Sequence, residues 1–251
     1  MDALTVVTAL IIILLSAGLF FLFLRQMGDP DDVQLRPLGG YRSLKKQIGL
    51  AVETGRHLHI TPGRASLAGQ GNPTSLAGLS ILEYFADEAC KNDVPPVITT
   101  GDGSLTVGAQ DTLRGAYSGA GRIDAYDPSL VRFQAAESSP LAFAAGVTDE
   151  LRDQNISSNI MVGRFGSEAA IITEAADRMS FQQILGSDDP LALGVMVPVT
   201  EDILIGEELF AAPAYLRRKP VHLASLQLQD TLRILVCAGV FLAAFYYLVV
   251  G

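Results

Sequence analysis

Two uncharged apolar runs, Leu4–Leu24 and Ile234–Val250, bracket a chain whose middle alternates short apolar stretches with polar ones. The first run holds fifteen Leu, Ile, Val and Phe residues, which favours bilayer insertion by roughly 5 to 9 kcal/mol with no charge opposing it. The second is seventeen residues long, close to the minimum for a hydrocarbon core of about 30 Å, and Thr231 and Leu232 extend it. Both runs are expected to span a membrane. The start Met1-Asp2 and the continuation Arg25-Gln26-Met27 lack the basic leader and small-residue cleavage site of a signal peptide. The first run, residues 4–24, is therefore expected to remain as an anchor.

Between the runs, Gly28-Asp29-Pro30-Asp31-Asp32 concentrates turn formers and marks residues 25–40 as a linker. Residues 41–205 read as the folded domain. Over Tyr41–Gly55, Leu44, Ile48 and Val52 recur at four-residue steps, which predicts a helix closed by Gly55. His57–Thr61 predicts a strand, Ser75–Lys91 a helix, Pro96–Thr100 a strand and Leu105–Tyr117 a helix. Val131–Ala135 is the next strand, then a helix over Pro140–Asp153, a strand over Asn159–Gly163 and a helix over Ser167–Met179; Ile184 and Leu193–Val197 offer one or two more strands. Strands alternating with helices imply right-handed crossovers and a sheet covered on both faces. The expected fold is therefore α/β: a doubly wound, mostly parallel, Rossmann-like sheet flanked by N- and C-terminal transmembrane helices. Roughly 180 residues suffice for one core.

Residues 206–222 form a membrane-proximal segment. Gly206–Leu216 reads as a short apolar helix interrupted by Pro213, and the basic turn Arg217-Arg218-Lys219-Pro220 follows. Leu209, Phe210 and Tyr215 make an apolar patch there that needs a cover, from the domain itself or from a partner. From His222 a helix can continue unbroken, so residues 223–250 are a juxtamembrane helix running into the second span.

Charge adds orientation. The net charge is −9, from 18 Lys and Arg against 27 Asp and Glu. Arg25, Arg36, Arg42, Lys45, Lys46, Arg217, Arg218, Lys219 and Arg233 all lie on the domain side of the spans, and no basic residue lies on the other side. The excess of basic residues predicts a cytoplasmic domain with both short termini outside, and Tyr246 and Tyr247 near the outer interface. This basic collar either meets anionic lipid headgroups or only sets topology. The acidic body argues against nucleic acid as a partner. Cys90 and Cys237 do not make a disulfide framework, which fits a reducing compartment.

In open parallel sheets, ligands bind outside the carboxyl ends of the strands. The corresponding loops carry Gly63, Arg64 and Ser66; Gly101, Asp102 and Ser104; Glu137; and Gly163, Arg164, Ser167 and Glu168. Helix N-termini in such loops hold anions. Arg64 and Arg164 could add charge, and Asp102, Glu137 and Glu168 could contact hydroxyls. The same residue types also serve simply to make turns and cap helices, so a small-molecule site and plain turn chemistry both remain open. Asp102 with Glu168 is a conceivable acid–base pair, or a solvated rim.

Known signatures fail. Gly69-Gln70-Gly71-Asn72-Pro73-Thr74 lacks the last glycine of a dinucleotide fingerprint, no Gly-Lys-Ser/Thr follows a glycine loop, and no G-x-S-x-G elbow occurs. His57 and His59 share a strand face, with His222 the remaining histidine and no nearby thiolate, so no metal centre is expected. No pattern identifies a cofactor. In the second span, Gly239 and Ala243 form a small-residue face suited to close helix approach or to lipid.

Several stretches carry a resemblance: Leu35-Arg36-Pro37-Leu38 with Tyr41, Gly55–His59, Leu141–Gly146, Gly163–Glu168, Gly206–Ala212 and Ser225–Asp230. They resemble an uncharacterised bacterial membrane-anchored family, described as a domain of unknown function and frequent in Chloroflexota. The resemblance implies the anchored α/β architecture and carries over no activity and no site residue. The expected location is a bacterial inner membrane. The function expected is a non-enzymatic scaffold or assembly module, homo-oligomeric or joined to other membrane proteins in the lipid bilayer. The alternatives are a sensor or binding module for a small anionic, nucleotide-like ligand, and an enzyme with a diverged site of that kind.

Overall fold

The computed structural model describes residues 3–69, 72–153 and 155–250. In chain order the elements are α1 (Ala3–Gln26), α2 (Gly39–Thr54), β1 (His57–Gly63), α3 (Asn72–Lys91), β2 (Val97–Thr100), α4 (Gly103–Gly119), β3 (Val131–Phe133) and α5 (Pro140–Leu151). There follow β4 (Ile156–Arg164), α6 (Ala169–Arg178), β5 (Gln182–Ser187), α7 (Pro190–Met196), β6 (Ile203–Ile205), a 3-10 turn (Gly206–Ala211), α8 (Ala212–Arg217) and α9 (Pro220–Val250). The chain divides into two compact units, Arg36–Ala212 and the paired segments Met1–Leu35 with Pro213–Gly251.

The unit Arg36–Ala212 is a six-stranded sheet in the order β3-β2-β1-β4-β5-β6, with every pair parallel. Its central strands are buried nearly throughout, as strands covered on both faces must be. On one face, Val97, Met161 and Leu185 pack with Phe143, Val147 and Leu151 of α5, Ile172 and Ala176 of α6, and Ala192 and Met196 of α7. Strand alternation turns Leu58, Ile60, Ile98, Ile160 and Ile184 to the other face. There α2, α3 and α4 cover the sheet, with Leu44, Ile81, Leu82, Phe85, Leu105 and Leu113 fully buried.

Helix α2 ends where expected, at Gly55 in the left-handed conformation (φ 64°). Its buried stripe is Tyr41, Leu44, Ile48 and Ala51, whereas Val52 is exposed. A strict four-residue step drifts off a face of 3.6-residue period, and Ala51 corrects the drift. The strand expected at Leu193–Val197 lies instead in α7. Pro190 opens that helix, the Asp189 carboxylate caps it on Leu191 N–H at 2.8 Å, and Ala192 and Met196 bury one helical face. The sixth strand is Ile203–Ile205, too short for a periodicity signal. Pro213 sits in the first turn of α8, where proline is tolerated, so it starts a helix instead of interrupting one. Leu209 is fully buried beside Gly186 of β5, so the domain itself covers that residue, while Phe210 is exposed.

In the other unit, α1 and α9 contact one another. Over Thr5–Gln26 and Pro220–Val249 they are long and apolar enough, by length and composition, to cross a membrane. Many of their large apolar side chains, Ile12, Ile13, Phe241 and Leu248 among them, are mostly exposed. Arg218 Nη2 donates to Val33 O at 2.6 Å, tying the linker to the start of α9. Gly239 has open space at its Cα hydrogens, so it does not mark the contact between the two helices.

Candidate functional site

Strand order reverses between β1 and β4, the switch point at which doubly wound sheets open a ligand crevice. Here glycines bring the two strand ends together. Gly63 adopts φ 94° and pairs with Arg164 after a register shift, and a Cβ on it would lie 2.6 Å from Arg164 O. A Cβ on Gly163 would overlap the Pro62 carbonyl, and one on Gly78 of α3 would come 2.6 Å from Val162 O. Arg64 N–H then donates to Arg164 O at 3.3 Å, and Gly101 N–H to Gly63 O at 3.1 Å, so the ends of β2, β1 and β4 are joined backbone to backbone.

Arg64 fills the space above this seam. Its Nε donates to Glu168 Oε1 at 2.6 Å and its Nη1 to the Glu137 carbonyl at 2.6 Å. Glu168 is buried, and the same oxygen accepts Gly166 N–H at 2.8 Å. A buried carboxylate needs this set of donors, because a lone charge in a low-dielectric site costs several kcal/mol. A side chain on Gly101 would collide with Arg64, and one on Gly166 would meet Glu168, so both glycines leave room for the pair.

The start of α4 has its own anion. Asp102 accepts from Ser104 N–H at 2.9 Å, from Leu105 N–H at 3.1 Å and from the Ser104 hydroxyl. Burial alone would raise its pKa, but these bonds, with a contribution from Ser66, outweigh burial and hold the carboxyl below its ordinary range. Ser104 Oγ also accepts Leu67 N–H at 3.0 Å and lies 3.3 Å from Ser66 Oγ, which fastens the loop after β1 to α4.

Of the residues expected at a ligand site, Gly63, Arg64, Gly101, Glu137, Gly163, Arg164 and Glu168 do converge. Asp102, Ser66 and Ser104 make a neighbouring cluster. Both carboxylates bind chain groups: Glu168 the Arg64 guanidinium, Asp102 the first turn of α4. Ser167 is exposed and contributes its carbonyl to Ala170 N–H at 3.1 Å. Arg164 is half-buried, and among the described residues no hydrogen bond or ion pair engages its guanidinium. The loop after β1 does not open a helix directly, since α3 begins only at Asn72; of the Gly69–Thr74 stretch, Gln70 and Gly71 lie outside the described residues. Thr74 Oγ1 reaches across to Asp188 Oδ2 at 2.7 Å, beyond the end of β5.

Two features become visible only in the fold. Inside the sheet, His59 Nδ1 lies 2.8 Å from Asn159 Oδ1 and Nε2 lies 2.9 Å from Thr99 Oγ1, while Gln183 continues the row to Thr173 O at 3.0 Å. Burial pushes the His59 pKa down to about 4 against the pull of its bond to Asn159. The polar positions His59, Thr99, Asn159 and Gln183 inside apolar strands were the available signal. The second feature is a set of exposed apolar side chains in the first two turns of the helices that follow strands: Leu76, Val107, Leu141, Ile171 and Leu191, with Phe133 at the end of β3. Only their placement after strands, not their hydrophobicity, distinguishes them from core positions in the sequence.

No curated protein and no solved structure matches the chain. A family model described as "Domain of unknown function (DUF6754)" matches residues 2–250, nearly the whole length, and the chain belongs to that family.

Proposed function

We propose that the chain is a membrane-anchored, non-enzymatic α/β module that assembles with copies of itself or with other membrane proteins. The observation that carries this reading is the Arg64–Glu168 pair: the groups that would receive a ligand at the switch point bind one another. The amino end of α4 is likewise neutralised from within the chain, by Asp102. The first two turns of α3, α4, α5, α6 and α7 and the end of β3 carry exposed apolar side chains: Leu76, Val107, Leu141, Ile171, Leu191 and Phe133. Exposed apolar surface of that kind suits a protein contact better than a soluble anion. The basic residues flanking both spans favour a domain on the cytoplasmic side of a bacterial inner membrane, with both termini outside.

A ligand challenge tests the claim that the switch point is closed to ligands. The detergent-solubilised chain, melted with nucleoside mono-, di- and triphosphates and with inorganic phosphate at millimolar concentration, should show no shift in Tm. A saturable upward shift would signal selective binding to the folded state and overturn it.

A second reading, a sensor for a small anionic ligand, is favoured by one observation, the unengaged Arg164 guanidinium at the end of β4. A charge-assisted contact there is worth about 1.5–3 kcal/mol, so Arg164→Ala would weaken such binding about ten- to a hundredfold. Under this reading, one anion in the challenge stabilises the chain and Arg164→Ala abolishes the shift.

A further inference from the structure

We propose that the pocket between the inner ends of the two apolar helices holds the headgroup of one phosphatidylethanolamine molecule, with its ammonium on Asp230. The pocket has a volume of about 510 Å3 and is lined by Phe23, Gln26 and Met27 at the end of α1, by the turn that follows, and by Gln227, Asp230, Thr231 and Ile234 of α9. That volume lies within the ordinary range for small-molecule sites, about 300–1,000 Å3. The inference rests on the reading that α1 and α9 cross a membrane.

Depth and chemistry point to the same occupant. Both helices change from apolar to polar at this level, Phe23 to Gln26 in one and Ile234 to Asp230 in the other, so the pocket sits where a bilayer has its headgroups. Phe23 and Ile234 offer an apolar wall for the upper acyl chain. Above them lie the carboxylate of Asp230, an acceptor, and the amides of Gln26 and Gln227, whose oxygens can accept. Only Oδ1 of Asp230 is engaged, by Arg233 Nη1 at 3.1 Å, and no donor among the described residues reaches Oδ2. A primary ammonium has three N–H donors for that oxygen and the neighbouring amides. Arg233, bonded to Asp230, places a cation beside that carboxylate for the lipid phosphate. The Asp230–Arg233 pair is thus a carboxylate beside a guanidinium, the complement of a headgroup carrying an ammonium beside a phosphate. An anionic headgroup without an amine would face Asp230 with like charge, and a choline nitrogen has no proton to give it.

The test uses the full chain. Placed in nanodiscs of equimolar phosphatidylethanolamine, phosphatidylglycerol and phosphatidylcholine, then released into mild detergent and washed, it should retain phosphatidylethanolamine about tenfold over either competitor by native mass spectrometry. Asp230→Asn should erase the preference, while Asp31→Asn, in the nearby linker but outside the pocket, should keep it. Retention of the three lipids in their bulk ratio, or an unchanged preference in Asp230→Asn, would overturn the pocket while leaving the membrane reading intact. Release of the chain from cell membranes by alkaline carbonate without detergent would overturn the membrane reading, and the pocket with it.

Discussion

Arg64 Nε meets Glu168 Oε1 at 2.6 Å across the point where β1 and β4 lead their chains to opposite sides of the sheet. A side chain from the first strand loop thereby holds the last turn before α6, at the position where related architectures place a phosphate. The carboxylate stands in for the anion and the guanidinium for the cation that would bind it.

Removing one member of this pair should cost more than removing both. Arg64→Ala leaves Glu168 buried with Gly166 N–H alone and should lower the unfolding free energy by about 3–5 kcal/mol. Glu168→Gln keeps the size and an acceptor for Gly166, and its loss should be smaller, about 1–3 kcal/mol. Arg64→Met combined with Glu168→Met should recover much of the Arg64→Ala deficit. Chemical denaturation of the three variants in detergent checks the order; an Arg64→Ala protein as stable as the unaltered chain contradicts it.

The glycines divide by what surrounds them. Gly163→Ala pushes a methyl into the Pro62 carbonyl, and Gly63→Ala adds both a clash with Arg164 and an unfavourable φ of 94°. Each should destabilise by about 1–3 kcal/mol. Gly115 in α4 has open space around its Cα, so Gly115→Ala should stabilise by up to about 1 kcal/mol through helix propensity. Melting temperatures in opposite directions are the expected readout.

His59 makes stability depend on acidity. Its pKa falls from an ordinary 6.5 to about 4 in the fold, so between those values the unfolded chain takes up a proton that the folded chain refuses. Stability is fully present above about pH 6.5 and declines as pH falls towards 4, by about 3 kcal/mol if no other group intervenes. His59→Gln should flatten this part of the profile while costing stability at neutral pH. A wild-type profile level between pH 6.5 and 4 would show that His59 does not govern it.

The alternation that predicts the sheet is visible because β1, β2 and β4 are short apolar runs separated by helices with clear periodicity. The β6 strand leaves no signal because three residues carry no period, and α7 reads as a strand because Leu193–Val197 is apolar on every side, so that burial of Ala192 and Met196 alone reveals its helical face. The candidate site is legible as a place, since Arg64, Glu137 and Glu168 follow strands and Arg164 ends one. Its closure is not, because an Arg that binds a ligand and an Arg that binds Glu168 look alike until the loops are folded. His59 was hidden for a related reason: only the register that sets it beside Asn159 turns two scattered polar residues into one buried row.

The exposed apolar side chains at the starts of these helices give the assembly reading a local handle. Leu141 and Leu191 are both about two-thirds exposed, 67% and 69%, so Leu141→Glu and Leu191→Glu should change fold stability by no more than about 0.5 kcal/mol. Within an interface, a charge at either position should shift the detergent-extracted particle to smaller mass. Size-exclusion chromatography with light scattering resolves the difference, and unchanged mass in both variants would place the contact elsewhere.

Native mass spectrometry of the full chain, extracted in mild detergent without added nucleotide, bears most directly on the proposal that this is a self-closed assembly module. The expected spectrum shows two or more copies, or one copy with another membrane protein, carrying lipid but no adduct of nucleotide or phosphate mass. A single copy with a stoichiometric nucleotide, lost on Arg164→Ala, would contradict it.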